Sequence, residues 1–378
     1  MIQKKIAFCG TRGIPANYGG FETAVDEISK RFIARGYQCV VICRLSHSQK
    51  KSEDDQGRKL VYILGSSHRK LETFVSSIQT GWHLFRHRSE YGFVFWFNNA
   101  NFPGILMTLF SGIPFSVNTD GLEWHRKKWR LPFKVYYFLS SVIISLLSPS
   151  LISDSRAIQD YYKSKFKKKT TYIPYGPSPE RLIDENTQKK ILQEYNLEAE
   201  KYFLQVTRFE PENLPLEIAL GFKETGLHND GYKYVVVGFK DNTPYASQLK
   251  ELSNLHGIVM LPATYSEVIL YSLRKNSLCY VHGNTVGGTS PALLEAMSTC
   301  RRVLAADNNS SSREVLDDVG YYFHLDNIST ALHEMISIAD MSNKLKERIE
   351  KRYSWDAVAN SYMVIAEGKE PNYPFDKF

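Results

Sequence analysis

The sequence predicts an α/β protein of two domains, each a parallel sheet covered by helices on both faces. Three observations carry this. The chain has 378 residues, more than one average domain. Short runs rich in Val, Ile and aromatic residues alternate with segments whose apolar residues recur at helical spacing, the pattern of strand–helix–strand units. That alternation runs twice, on either side of a polar, helix-prone stretch between Pro174 and Lys201. A hydrophobic fraction of 43% is ordinary for a globular protein able to bury two cores.

In the first half, Lys5–Cys9 is a short apolar strand and Gly10–Gly20 a glycine-rich loop. Phe21, Val25, Ile28 and Phe32 then fall on one helical face, and Gly36 is placed to end that helix. Gln38–Cys43 and Lys59–Leu64 read as strands, Leu71–His87 as a helix, and Phe93–Phe97 and Phe115–Asn118 as buried strands. In the second half, Tyr202–Thr207, Tyr234–Val237, Gly257–Leu261, Ser277–His282 and Arg302–Ala305 read as strands. Pro215–Glu224, Tyr245–Asn254, Ser266–Asn276 and Pro291–Thr299 are the helices between them. The linker is expected near Pro174–Pro179, giving domains 1–176 and 177–353. Ligands of such sheets bind at the carboxyl ends of the strands.

The formal net charge of +7 is unevenly placed: His125–Thr170 holds 11 Lys/Arg against Asp154 and Asp160. Within it, Leu131–Ser153 is largely apolar and about long enough to span a bilayer. The plain reading is a buried helix followed by a core strand at Ser150–Ser153; a helix lying in a membrane interface is the sharper alternative. Basic and aromatic residues crowd its front, from Trp124 through Arg126 to Arg130, and Lys163–Lys169 adds a second basic run. A solvated face or an anionic lipid surface explains these runs, and no nucleic-acid module is recognisable. The five scattered cysteines lack zinc-ligand spacing and read as buried free thiols of a reducing cytosol. The apolar run Ile6–Cys9 is too short for a signal peptide.

The most informative stretch is Val286-Gly287-Gly288-Thr289-Ser290-Pro291-Ala292-Leu293-Leu294-Glu295-Ala296-Met297. Paired glycines let a backbone approach a ligand closely. Ser290 suits an N-cap and Pro291 the first helical position. The free N–H groups of a first turn make an anion site. Glu295, one turn further in, can accept hydrogen bonds from a pair of hydroxyls. Phosphate at the tip and a carboxylate beside it suit a sugar nucleotide.

Other candidates stand where strands end. Arg208 follows one strand and faces the expected ligand edge as a cation for a diphosphate. His282 ends another; it is a ligand residue or a histidine packed under the loop. Lys240 stands in a similar place. In the first domain, Gly19 and Gly20 open the first helix and Arg12 lies in the preceding loop; a structural turn and ligand contact both remain open for these glycines. Asp120 and Glu123 follow a buried strand and can hold hydroxyls or act as a base, or cap the next turn. Trp124 and Trp129 offer flat faces of the kind that line sugar sites. No Walker A, H-E-x-x-H, G-x-S-x-G or G-x-G-x-x-G pattern occurs, and no Asp-x-Asp follows an apolar strand, so no metal-held diphosphate is expected.

Together these loops resemble glycosyltransferase family 4, whose fold is GT-B, two Rossmann-like domains with parallel sheets facing a central cleft. The resemblance rests on the Gly-Gly loop, on Arg208 and on Pro291-Ala292-Leu293-Leu294-Glu295-Ala296-Met297. Gly10–Thr23, Asn118–Trp124, Asp154-Ser155, Ile173–Gly176 and Tyr353-Ser354-Trp355 are similar to bacterial rhamnosyltransferases of capsule and cell-wall polysaccharide synthesis. The resemblance implies a retaining, metal-independent transferase with a nucleotide-sugar donor and no cofactor. It also implies a last helix, about 354–368, packing back on the first domain. Glu295 would contact the donor ribose and Arg208 the diphosphate. Gly288, Thr289, Ser290, His282, Arg12, Gly19 and Gly20 would complete donor binding. Asp120 would assist catalysis, and Glu123 and Trp124 would meet the acceptor. Two positions depart from the family pattern: Gly287 stands where a sugar-holding Glu is expected, and Asn213 where a second diphosphate cation is. The expected acceptor is a glycan or polyprenyl-linked oligosaccharide, and the expected location is cytoplasmic, at the inner face of the cell membrane. A non-hydrolysing sugar-nucleotide epimerase and a non-catalytic sugar-nucleotide-binding subunit are the alternatives.

Overall fold

A computed structural model describes residues 4–15, 19–45, 53–66, 71–119, 121–126, 130–177, 183–238 and 243–371. The chain divides into two compact units. Met1–His125, Trp129–Tyr175 and Ser354–Phe378 form the first, Arg126–Lys128 and Gly176–Tyr353 the second.

The first unit is built on eight strands: β1 (Lys5–Cys9), β2 (Cys39–Arg44), β3 (Asp54–Asp55), β4 (Arg58–Ile63), β5 (Tyr91–Phe97), β6 (Phe115–Asn118), β7 (Ser150–Ser153) and β8 (Thr171–Tyr172). Their order across the sheet is β3-β4-β2-β1-β5-β6-β7-β8. All pairs are parallel except β3 with β4. Every residue of β2 is buried, as both-face coverage requires. The covering helices are α1 (Gly20–Ala34), α2 (Glu72–Arg86), α3 (Phe102–Ser111), α4 (Leu131–Leu147) and α5 (Arg156–Phe166). Gly36 lies just beyond α1 at φ 83°, the left-handed conformation that stops a helix.

The second unit has six parallel strands: β9 (Tyr202–Val206), β10 (Lys233–Gly238), β11 (Ile258–Pro262), β12 (Cys279–His282), β13 (Val303–Ala306) and β14 (Tyr321–Phe323). Their order is β11-β10-β9-β12-β13-β14. Around them run α6 (Glu185–Glu194), α7 (Pro215–Thr225), α8 (Pro244–Glu251), α9 (Glu267–Asn276), α10 (Pro291–Thr299), α11 (Ser310–Leu316), α12 (Ile328–Glu334) and α13 (Ser342–Arg352). Side chains cap several of them: Asp184 accepts from the Thr187 N–H at 3.0 Å and Ser266 from that of Ile269 at 3.4 Å.

The last helix, α14 (Trp355–Ala366), belongs to the first unit and packs on α1. Arg31 of α1 donates to Asp356 at 2.8 Å. The Tyr362 ring lies 5.0 Å from that of Phe95 and is stacked at 6.3 Å on that of Phe97. Its hydroxyl accepts from Asn118 Nδ2 at 2.6 Å, so a buried polar group at the end of β6 is satisfied by the final helix. All five cysteines are buried and free.

One expectation is overturned. Leu131–Ser153 does contain a helix and then a strand, but the helix does not bury its apolar face. Ser140, Ser141, Ile144 and Ser145 of α4 turn inward, while Leu131 (74% exposed), Leu139 (51%) and Leu146 (74%) turn out. The serines suit the inward side because each hydroxyl is satisfied by its own helix. Ser140 donates to the Tyr136 carbonyl at 2.7 Å, Ser141 to that of Tyr137 at 3.0 Å, and Ser145 to that of Ser141 at 2.7 Å. Ser141 also accepts from the buried Asn99 amide at 2.8 Å. Among the described residues, no helix is long and apolar enough to cross a membrane.

Replacing Tyr362 by Phe removes the acceptor of the buried Asn118 amide and should lower the unfolding free energy by about 1–3 kcal/mol. Urea unfolding of the two proteins measures the difference.

Candidate nucleotide-sugar site

The chain leaves β1 toward β2 and leaves the neighbouring β5 toward β6, in opposite directions across the sheet. Such switch points are where doubly wound sheets take ligands. The loop after β1 is fixed by its backbone. Gly10 and Gly13 have φ of 94° and 110°, and a Cβ on Gly13 would stand 2.5 Å from the Cys43 sulfur. The glycines this turn requires are therefore Gly10 and Gly13. Gly19 is extended at φ −165° and, with Gly20, opens α1 without need of a left-handed conformation. Asn101 pins the loop by donating to the Gly10 carbonyl at 3.0 Å and the Phe97 carbonyl at 2.8 Å. Its N-N-A-N context, directly after β5, was the available signal. The Arg12 backbone N–H donates to the buried Glu22 carboxylate at 3.0 Å, which ties the loop to the first turn of α1.

Glu123, Trp124 and His125 form one short turn after β6, all outside the buried core. The Trp124 ring is not a bare platform. It lies 5.7 Å from Phe138 of α4 and 5.8 Å from Tyr161 of α5, within an aromatic cluster. Asp120, Trp129 and Lys240 lie outside the described residues.

In the second unit the switch point falls between β9 and β12. Arg208 lies two residues beyond β9, its side chain about a third exposed and 3.9 Å from Glu210. Asn213 explains one departure from the family pattern. It is buried, its side chain donates to the Arg208 carbonyl at 3.0 Å, and its own carbonyl accepts from Gln205 at 2.8 Å. Asn213 thus shapes the Arg208 loop instead of offering a charge. Glu212 beside it is also buried. Burial, and then the Glu210 carboxylate, raise its pKa against the pull of Arg126, which approaches to 3.8 Å.

Both faces of the loop after β12 are held. The Thr285 N–H and hydroxyl donate to the Glu212 carbonyl at 2.8 and 3.0 Å. Asn309 donates to the Asn284 carbonyl at 3.1 Å and Ser311 to that of Gly287 at 3.0 Å. Gly287 has φ 131°, which side-chain-bearing residues rarely adopt. A Glu at this place would be strained, which accounts for the second departure. Gly288 and Thr289 follow in a bend, with Thr289 buried. Ser290 stands at the N-cap as expected, but its hydroxyl makes no cap bond. The tip of α10 therefore carries no side-chain acceptor of its own.

Glu295 is one turn inside α10, about a fifth exposed, and its carboxylate meets Arg274 of α9 at 2.5 Å. Arg274 is a site residue that sequence reading missed. Burial works to depress its pKa, and Glu295, with Tyr280 behind it, more than offsets that. A basic residue in the last turn of a helix reads as a dipole partner, so its pairing across to α10 had no sequence signal. The pair fixes the direction of the Glu295 carboxylate.

His282 ends β12, is buried, and stacks on Tyr280 at 6.3 Å. Burial lowers its pKa from 6.5 to about 4. The imidazole is neutral near pH 7, and a neutral hydrogen bond is what it has to give. Its Nε2 meets no partner among the described residues. Among those residues, no three His, Cys, Asp or Glu side chains converge as a metal site.

The family model described as a domain of unknown function, DUF1972, matches residues 106–178, from within α3 to beyond β8. No curated protein sequence matches the chain. Solved structures do. A glycosyltransferase from Rickettsia africae ESF-5 is 14% identical over 97% of this chain and 99% of its own, with a TM-score of 0.71. WaaG, a glycosyltransferase involved in lipopolysaccharide biosynthesis, is 13% identical over 96% of this chain and 100% of its own, at 0.71. HepE of Anabaena, solved with UDP-glucose, is 12% identical over 96% and 99%, at 0.72. At such identities the likeness is one of fold, and the fold is GT-B.

The histidine predicts a pH dependence. Its folded pKa lies below the ordinary value, so the unfolded chain takes the proton first. The stabilisation is complete above pH 6.5 and is lost as the pH falls toward 4. The loss is on the order of 3 kcal/mol. Urea unfolding across this window should show a rise of stability with pH that His282→Phe reduces.

Proposed function

We propose that this chain is a retaining, metal-independent glycosyltransferase that moves a sugar from a nucleotide donor to a glycan or lipid-linked oligosaccharide. The proposed donor is dTDP-rhamnose and the setting surface polysaccharide synthesis at the cytoplasmic face of the membrane. One observation carries the reading. At the β9/β12 switch point the fold brings to one edge a cation (Arg208), a helix tip without a side-chain cap (Ser290–Ala292) and an oriented carboxylate (Glu295). Arg208 and the helix tip suit the departing diphosphate, where negative charge grows as the bond to the sugar breaks. Glu295 suits a ribose diol. Gly288 and Thr289 offer backbone N–H groups to the sugar or phosphate where Gly287 has no side chain to give.

In this mechanism the acceptor oxygen attacks the anomeric carbon from the face the diphosphate leaves. The bond from that carbon to the diphosphate oxygen breaks, and that oxygen takes the acceptor proton. Arg12, Gly19 and Gly20 of the first unit are assigned to the donor, and Asp120, Glu123 and Trp124 to the acceptor, with Asp120 orienting its hydroxyl. Among structural relatives, HepE was solved with UDP-glucose, which supports a nucleotide-sugar donor here. The positive φ of Gly287 and the structural use of Asn213 favour a second reading, a subunit that binds the nucleotide sugar without turnover.

The deciding assay incubates the protein with dTDP-rhamnose and a lipid-linked acceptor and follows release of dTDP, with UDP-glucose as a second donor. Acceptor-dependent release is expected. Tight nucleotide binding without release from any donor would leave only the binding subunit. Glu295→Gln keeps an acceptor for Arg274 and should fold, yet should weaken donor binding about tenfold, or ~1.4 kcal/mol. Unchanged affinity by calorimetry would remove Glu295 from the site.

A further inference from the structure

We infer that the outward face formed by α2, α3 and α4 is a docking surface for an anionic lipid bilayer, on which the first unit lies without crossing it. The face is apolar where a solvated one would be polar. On α2, Phe74, Ile78 and Trp82 recur every fourth residue and are all exposed. Phe110 closes α3 at 78% exposure, and Leu139 and Leu146 stand out from α4.

These stripes are continuous. A Cβ on Gly81 of α2 would come within 2.8 Å of the Gly104 Cα of α3, so the two helices touch backbone to backbone. The rings of Phe74 and Tyr136 lie 6.5 Å apart and join α2 to α4. An exposed apolar area of this extent marks a site that something covers.

Charge selects the occupant. The three helices carry a single carboxylate, Glu72, and it is buried. Their cations are arranged for an interface. The Arg86 guanidinium lies 5.8 Å over the Trp82 ring, Arg88 lies 5.4 Å over that of Phe85, and Lys134 opens α4. Lys163 and Lys165 outnumber Asp160 among the exposed charges of α5, which packs against α4. A surface for a second copy of the chain would need carboxylates to answer these cations, and α2, α3 and α4 expose none. Exposed apolar side chains with arginine and lysine in excess around them fit acyl chains beneath phosphate headgroups.

The inward-facing serines are what make this possible, since α4 gives its small polar side to the protein and its leucines to the outside. The sequence offered Leu131–Ser153 as an interfacial helix with Trp124 at its front; the Trp124 ring is engaged with Phe138 and Tyr161. The inference does not rest on sugar transfer: vesicle binding involves no sugar chemistry, so either can fail alone.

The test is co-sedimentation of the full chain with vesicles of phosphatidylcholine alone and of equimolar phosphatidylcholine and phosphatidylglycerol. Strong binding to the anionic vesicles, weakened by salt, is expected. Phe110→Ser with Leu146→Ser should cut that binding tenfold or more, and Arg86→Gln with Lys134→Gln should remove its dependence on phosphatidylglycerol. All four residues lie outside the buried core, so an unchanged thermal midpoint should accompany both effects. Three results would overturn the inference. One is no sedimentation at low salt. Another is a serine variant that binds like the parent. The third is a lipid-free dimer that the serine variant converts to monomer, which would assign the face to self-association.

Discussion

The position of β9 between β10 and β12 is the constraint on which the ligand edge of the second unit depends. Because all six strands are parallel, every chain segment that could carry chemistry leaves the sheet at the same edge. Crossovers run to one side of β9 and then to the other, so the segments after β9 and β12 are neighbours although Arg208 and Glu295 are far apart in sequence. The crowding there is severe. A Cβ on Gly238, the last residue of β10, would sit 1.8 Å from the Thr207 carbonyl. The loops are then tied to one another through the Glu212 carbonyl, which receives both donors of Thr285. A ligand site made this way is set by backbone topology first and decorated by side chains afterwards.

The same ordering decides what the sequence could tell. Strands such as Val40–Cys43 and Phe93–Phe97 were legible because burial on both faces leaves an unbroken apolar run. Pro291–Thr299 was legible to the residue because cap and proline punctuate it. The candidate site was legible wherever a residue follows directly from a strand end, as Arg208 and His282 do. It was not legible where a role arises from a partner distant in the chain. Arg274 looks like any basic residue closing a helix until α9 and α10 pack. The protonation state of His282 depends on how deeply β12 is buried, which its neighbours in sequence do not report. Short elements such as β14, α11 and α12 carried too few residues to establish a period.

Hydropathy alone misdirected the reading of α4. It measures how apolar a segment is and says nothing about which side faces in. Serines read as interruptions of a buried helix, yet they are its inner face, because a hydroxyl bonded to its own helix costs little to bury. The departures at Gly287 and Asn213 carry a related lesson. Each looks like a lost functional group when set against a family pattern. In the fold each has a backbone task, a left-handed turn in one case and a hydrogen bond to the Arg208 carbonyl in the other. Substituting the family residue at either place would disturb the loop before it could add chemistry.

The buried cysteines have a consequence for how this molecule can be observed. A thiol reacts as its thiolate and only where reagent can reach it. Burial denies both: it pushes the Cys39 and Cys300 thiols up to about 12 and Cys43 to about 11, and drives Cys9 and Cys279 upward as well. The folded protein is thus chemically silent toward thiol-directed dyes while retaining all its native cysteines. A single cysteine introduced on an exposed helix would be the one labelled position, so fluorescence or spin probes can be placed on either unit without first redesigning its core.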